Sequence, residues 1–122
     1  MSNVNFAELH KKVSIAVCKH DADFLENHEE CIDFGHCGYA VVLLSFGRKR
    51  KIKNQFIEHN LINENRTWEM YGRKEYVIEL PPHAVPTQYM GFFEGRAEAA
   101  AKILREELDG TGIEVNIHRW VD

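Results

Sequence analysis

The stretch Tyr39–Phe46, which reads YAVVLLSF, decides the fold class of this sequence. Both of its alternating sets of side chains are largely apolar, a pattern typical of a strand that is buried on both faces. Gly47 ends the strand, and apolar residues at helical spacing predict a helix from about Arg48 to Leu61. The predicted inner face of this helix consists of Ile52, Phe56, Ile57 and Leu61.

Alternating patterns beyond this helix predict a hairpin. Residues 67–71 and 75–80 form its strands around a turn at Gly72-Arg73, with Trp68 and Tyr76 both on the core side, and Pro81-Pro82 ends the second strand. A helix follows from about Met90 to Leu108, before a half-buried edge strand over residues 113–117. The predicted core of this half includes Ile78, Ala97, Ala100, Ala101, Leu104, Val115 and Ile117.

From Tyr39 onward the predicted order is β-α-β-β-α-β, the ferredoxin-like split βαβ motif of the α+β class. The predicted sheet is antiparallel and four-stranded, with the first and third strands central. Asn5 and Glu8 form a capping pair before an added helix from about Phe6 to Lys19. We expect one domain over 1–122, with 1–33 a helical, acidic appendage to a 34–122 core.

One face of a ferredoxin-like sheet carries no helix, yet the first strand is apolar on both faces. We therefore expect the helix Phe6–Lys19 to cover the open face, and a homodimer through that apolar face is the alternative. The chain has 122 residues, 44% of them apolar, and no apolar run long enough to span a bilayer. An odd number of cysteines and no secretory leader favour a reducing cytoplasm.

The net charge of −4 conceals a basic segment. Helix starts favour carboxylates, so cations collected there suggest an anionic ligand: phosphate, a nucleic-acid backbone or an acidic protein surface, with backbone amides at residues 47–50 free to help. A solvated helix face is the simpler alternative. The candidate partner-binding or anion-binding residues are Gly47, Arg48, Lys49, Arg50, Lys51 and Lys53.

Carboxylates restrict where a nucleic acid could bind. The predicted outward positions of the strands include Glu69, Glu75, Glu79 and Glu114, which would repel phosphate. Binding would therefore use the basic helix start over residues 48–53 and not the sheet. Arg66, Arg73 and Lys74 are possible helpers.

Cysteine and histidine collect in residues 18–37. Cys18, His20, His28 and Cys31 could supply four ligands to a structural zinc ion, although their spacing is not that of a common zinc module. Cys37 is a candidate reactive thiol. Buried thiols and solvent-facing imidazoles are the simpler interpretation, so no metal site is favoured and no cofactor is expected.

Residues 33–40, Asp33-Phe34-Gly35-His36-Cys37-Gly38-Tyr39-Ala40, precede the apolar strand, and the chain ends in Arg119-Trp120-Val121-Asp122. With the Ala- and Leu-rich helix between them, these segments resemble small uncharacterised proteins encoded in bacteriophage genomes, over about residues 33–122. The resemblance implies an accessory phage protein in the host cytoplasm, a group whose members often bind and redirect host machinery. It implies no catalytic residue.

The sequence contains no phosphate-binding loop, dinucleotide fingerprint or serine nucleophile elbow. We therefore predict a non-enzymatic accessory protein that binds a macromolecular partner, in the first place a protein, such as a host defence or nucleic-acid-processing protein that it inhibits. Direct nucleic-acid binding through residues 48–53 and a metal or thiol site in residues 18–37 are the alternatives. No membrane partner is expected.

Overall fold

Residues 4–27, 38–70, 72–83 and 90–121 are described by the structure, a computed structural model, and they form three helices and four strands. None of these helices is long and apolar enough to cross a lipid bilayer. In chain order the elements are α1 (Phe6–Asn27), β1 (Gly38–Ser45), α2 (Arg50–Glu58), β2 (Ile62–Met70), β3 (Arg73–Ile78), α3 (Met90–Glu107) and β4 (Glu114–Val121).

The four strands form one antiparallel sheet in the order β2-β3-β1-β4. The α+β class and the four-stranded antiparallel sheet are therefore confirmed, and β1 and β3 are the central strands, as the apolar content of β1 predicts. Ser45 pairs with Glu114 and Tyr39 with Trp120, so β4 accompanies β1 along its whole length.

The helices pack on one face of this sheet. Ala40, Val42, Leu44 and Phe46 share a buried cluster with Phe56 of α2 and with the apolar side of α3. The predicted core positions Tyr76, Ile78, Ala97, Ala100, Ala101, Leu104 and Val115 are all buried in it. Leu43 is also buried, at 3% exposure, but it points to the other face and lies outside that cluster.

Helix α1 begins at Phe6 as expected, and the Glu8 amide donates to Asn5 Oδ1 over 3.1 Å. The helix continues to Asn27, beyond the predicted end at Lys19. Its apolar side joins the main core, where the Phe6 ring contacts Phe56 at 5.1 Å. The expectation that this helix covers the open face of the sheet is wrong, because α1 packs along α3 on the helix side.

A close approach fixes α1 against α3. A Cβ built on Gly95 would lie only 2.1 Å from His20 Nε2, so the histidine occupies the space left by the missing side chain. Next to it, Arg96 Nε donates to Asp21 Oδ1 over 3.0 Å, and Arg96 also donates to the Pro81 carbonyl. The two side chains are mostly buried, at 8% and 14% exposure. Removing either one would leave the other as an unpaired buried charge, which is strongly destabilising.

Helix α2 is shorter than predicted at both ends. Residues 47–49 form a turn, and Asn60 adopts a φ of +60° while the Leu61 amide donates back to Phe56 O. Such a left-handed residue followed by a backbone return bond is a common way to end a helix. Leu61 is buried beyond the helix, and β2 therefore starts at Ile62 instead of Thr67.

The predicted core position of Trp68 is wrong. Ile62 pairs with Ile78, but Thr67 pairs with Tyr76, so the register of β2 on β3 shifts between these two pairs. A shift by an odd number of residues exchanges the two faces of a strand. Ile62 is buried on the helix side, whereas Trp68 pairs with Glu75 on the opposite face and is 38% exposed.

Candidate functional site

A cationic cleft lies beyond the end of β1, where the turn into α2 meets the β2–β3 hairpin. Its volume is about 490 Å³. The basic side chains that line it are Arg48, Lys49, Arg50, Lys53, Arg73 and Lys74, and no carboxylate of the described residues lines it. Four of the six predicted partner-binding residues are cations of this lining, and Gly47 contributes its backbone.

The hairpin cations reach the cleft because of two local features. Gly72 adopts a φ of +75° and closes the connection between Met70 and Arg73, which pair across the hairpin. This turn places Arg73 and Lys74 beside the residues that follow β1. A positive φ favours glycine, so the tight turn depends on the absence of a side chain there.

Two of the cations that line the cleft are held in place by neighbouring residues. Lys53 Nζ lies 5.6 Å from the centroid of the Tyr76 ring, a cation–π arrangement. Arg73 donates to Ser45 Oγ and to Glu114, both over 3.0 Å. Arg48 and Arg50 are exposed. Lys53 and Arg73 are therefore held in place, whereas the side chains of Arg48 and Arg50 can move towards a ligand.

The start of α2 has no side-chain cap and no carboxylate. Lys49 precedes the helix without a side-chain capping hydrogen bond, and the first turn contains no acidic residue. The expectation that the amides of residues 47–50 are free is wrong in part. The Lys49 amide donates to Phe46 O and the Arg50 amide to Arg48 O. Side chains, more than these amides, would therefore contact an anion.

Two basic residues from the sequence analysis lie apart from the cleft. Lys51 is exposed on α2 but is not among the lining residues. Arg66 Nη1 contacts both carboxylate oxygens of Glu79, at 3.1 and 3.0 Å. Arg66 is therefore engaged with the sheet and does not extend the cleft.

The face of the sheet opposite the described helices, called the open face here, carries aromatic rings that the sequence analysis missed. Register places Tyr39, Val41, Leu43 and Ser45 of β1 on it, together with the paired residues of β3 and β4. Trp68 of β2 contacts His118 of β4 at 4.6 Å between ring centroids, so rings from the two edge strands meet across this face. The ring cluster consists of Tyr39, Trp68, His118 and Trp120.

The open face is less acidic than expected. Glu69 pairs with Lys74 on the helix side of the hairpin, and not with the residues of the open face. Glu79 is paired with Arg66 and Glu114 with Arg73, so two of the carboxylates that do lie on this face have a cation beside them. Of the four predicted carboxylates, Glu75 remains as a half-buried acidic side chain in the middle of the face.

The structure does not bring the described cysteine and histidine candidates together. Cys18 is exposed and free, whereas the His20 ring lies against Phe92, and residues two apart on a helix do not face each other. His28, Cys31, His36 and Cys37 lie outside the described residues, as does the start of the phage-like segment at residues 33–37. Within the described part of the chain there is no group of three or more potential metal ligands.

Comparison with known proteins finds no matching family model, no similar curated protein and no matching solved structure.

Proposed function

We propose that this chain is a non-enzymatic binding protein that holds an anionic segment of a macromolecular partner in the basic cleft. The observation that carries the proposal is the lining itself: six of the fifteen lysines and arginines surround one concavity, and among the described residues no carboxylate lines it. A concave site of one charge sign concentrates counter-charged ligands. Arginine in particular pairs with carboxylate or phosphate through two parallel hydrogen bonds.

Two partner classes fit this chemistry. The first is a protein with clustered carboxylates, the partner that the sequence analysis preferred. The second is a nucleic acid, and the exposed rings of the open face favour it, because Arg73 and Ser45 belong both to that face and to the cleft lining. A homodimer through the open face stays a prediction.

We also propose the finer fold and the biological context. The order β-α-β-β-α-β from β1 and the strand order β2-β3-β1-β4 support a ferredoxin-like split βαβ core. The resemblance to phage-encoded proteins supports an accessory role in the host cytoplasm, in which binding inhibits a host defence or nucleic-acid-processing protein.

The test is a binding titration with two polyanions of similar charge but different chemistry. Fluorescence anisotropy is measured with a labelled ten-residue glutamate peptide and with a labelled twelve-nucleotide oligothymidine strand. Arg48→Gln/Arg50→Gln removes two exposed cations of the cleft. Lys102→Gln, on the exposed side of α3, removes one cation elsewhere and serves as the control.

We expect wild type and the control to bind at least one polyanion, and the double variant to bind it weakly. For the nucleic-acid strand, six phosphate contacts give a slope of log affinity against log salt concentration of about −4, and the double variant reduces this slope by about 1.4. Failure of both polyanions to bind at low salt contradicts the proposal. Equal weakening by Lys102→Gln contradicts the assignment of the cleft.

A further inference from the structure

Both tryptophans of the chain lie on the open face. Trp68 and Trp120 are 38% and 37% exposed, and their ring planes differ by only 19° at a centroid distance of 6.5 Å. Tyr39 lies beside Trp120 at the end of this face, 5.8 Å away and 41% exposed, and its ring also contacts Phe93 of α3 at 4.7 Å. Large rings gathered in one exposed patch are typical of an interaction surface.

The basic cleft borders the face of the sheet that carries the ring cluster. Ser45 and Arg73 line the cleft, and both also lie on the open face, where Arg73 donates to Ser45 Oγ. Along β1, the distance from Ser45 to Tyr39 is six residues of extended chain, about 20 Å. One extended ligand can therefore touch the cations with one part and the rings with another.

The chemistry of the two surfaces selects the ligand. The cleft fits repeated negative charges, and the rings fit flat π systems. A nucleic acid carries both on one chain, whereas an acidic peptide carries only the first. The strand must be single, because bases stack on protein rings only when their faces are free of the duplex.

We propose that the partner is a single-stranded nucleic acid, with its phosphates in the basic cleft and its bases stacked on Tyr39, Trp68 and Trp120. The proposal rests on the proposed function of the cleft and names the partner of that same site. His118, whose ring lies 4.6 Å from Trp68 and 5.6 Å from Trp120, positions the two tryptophans. Specificity for sequence is not required, since every base has a π face.

The experiment compares a twelve-nucleotide oligothymidine strand with an abasic strand of the same length and charge. Because both tryptophans lie on the open face, their intrinsic fluorescence reports base stacking directly. Trp68→Leu and Trp120→Leu keep apolar contact over the face but remove one ring each, so the remaining tryptophan shows which ring still stacks. Ile15→Leu, at an exposed site on α1, is the control.

We expect oligothymidine to quench the fluorescence and to bind at least about fivefold more tightly than the abasic strand, as base–aromatic stacking predicts. Each tryptophan variant lowers oligothymidine affinity towards the abasic value and leaves abasic binding unchanged. Variants are compared only if their urea midpoints match wild type; otherwise Trp68→Phe and Trp120→Phe replace them, with a smaller loss expected.

The contrary outcomes separate the two proposals. Equal affinity for the two strands without quenching overturns base stacking and leaves the cleft as a phosphate site. Binding of the glutamate peptide but of neither strand also overturns this inference, and the partner is then an acidic protein. Binding of none of the three polyanions overturns the proposed function as well.

Discussion

Replacing Gly95 with alanine tests the position of α1 against α3. In the structure the new Cβ would lie 2.1 Å from His20 Nε2 and 2.8 Å from Cδ2, whereas carbon contacts are normally 3.5–4.0 Å long. The ring cannot easily turn away, because Nδ1 is 3.1 Å from Asp21 Oδ1 and the ring packs against Phe92. Either the ring or the whole helix must therefore move by more than an ångström.

The magnitude follows from two opposing effects. Inserting a methyl group into a filled space costs about 1–3 kcal/mol, whereas glycine to alanine within a helix stabilises by about 0.5–1 kcal/mol. We expect Gly95→Ala to lower the free energy of unfolding by about 1–2 kcal/mol. In a His20→Ala background the clash is gone, so the same substitution should raise stability by about 0.5–1 kcal/mol.

The assay is urea unfolding of wild type, both single variants and the double variant, with far-ultraviolet circular dichroism as the signal. The four free energies form a double-mutant cycle, and the coupling between the two sites should be about 1.5–3 kcal/mol. The slope with urea should be the same in all four proteins. If Gly95→Ala stabilises in both backgrounds, the residues do not touch and α1 does not pack on α3 here.

Three further predictions concern other parts of the molecule. Leu43→Ala should cost about 2–4 kcal/mol in urea unfolding, because Leu43 is buried on the open face, whereas the exposed Ile15→Ala should change stability by less than about 0.5 kcal/mol. The hydrogen bond to Glu107 raises the pKa of Lys12 above 10.5. Wild type should therefore be more stable than Lys12→Gln below pH 10.5, and the difference should disappear as the pH rises through the raised pKa. Thermal unfolding of the two proteins at several pH values measures this difference. Glu75→Gln should tighten oligothymidine binding about twofold to fivefold at low salt by removing a like charge beside the proposed path, and unchanged or weaker anisotropy binding would contradict that path.

Helices and strands whose apolar residues recur at regular spacing were predictable from the sequence. The alternation of Tyr76 and Ile78 and the helical spacing of Ala97 and Leu104 each determine a buried side without reference to the rest of the chain, and all four are buried. The central position of β1 follows from its apolar residues alone. The fold class and the central position of β1 could therefore be anticipated from a few strongly patterned segments.

The position of Trp68 depends on a register shift that the sequence does not mark. Residues 62–70 contain few apolar residues, so alternation alone could not determine which face is buried. The flanking residues give no further signal, because Asn63 and Asn65 on one side are as polar as Glu64 and Arg66 on the other. Without such a signal, the ring cluster and its relation to the cleft could not be inferred.

The basic run was visible as a charge pattern, but the cleft was not. Arg73 and Lys74 come from a hairpin more than twenty residues further along the chain, and only tertiary packing places them beside Arg48 and Arg50. The same packing uses the amides of Lys49 and Arg50 within the turn. Sequence alone could therefore locate the run of cations after β1, but not the groups with which four of them share the cleft.

The charge distribution also explains why a cleft of this kind would need the ring cluster. The chain as a whole carries −4, so its net charge does not draw in a polyanion, and at physiological ionic strength the cleft attracts one only within about 8 Å. Arg73 also donates a hydrogen bond to Glu114, and this carboxylate competes with any phosphate for the guanidinium. Electrostatic attraction alone should therefore give weak, strongly salt-dependent binding. Stacking on Trp68 and Trp120 is far less sensitive to salt, so as salt rises the affinity for a single strand should depend increasingly on the rings.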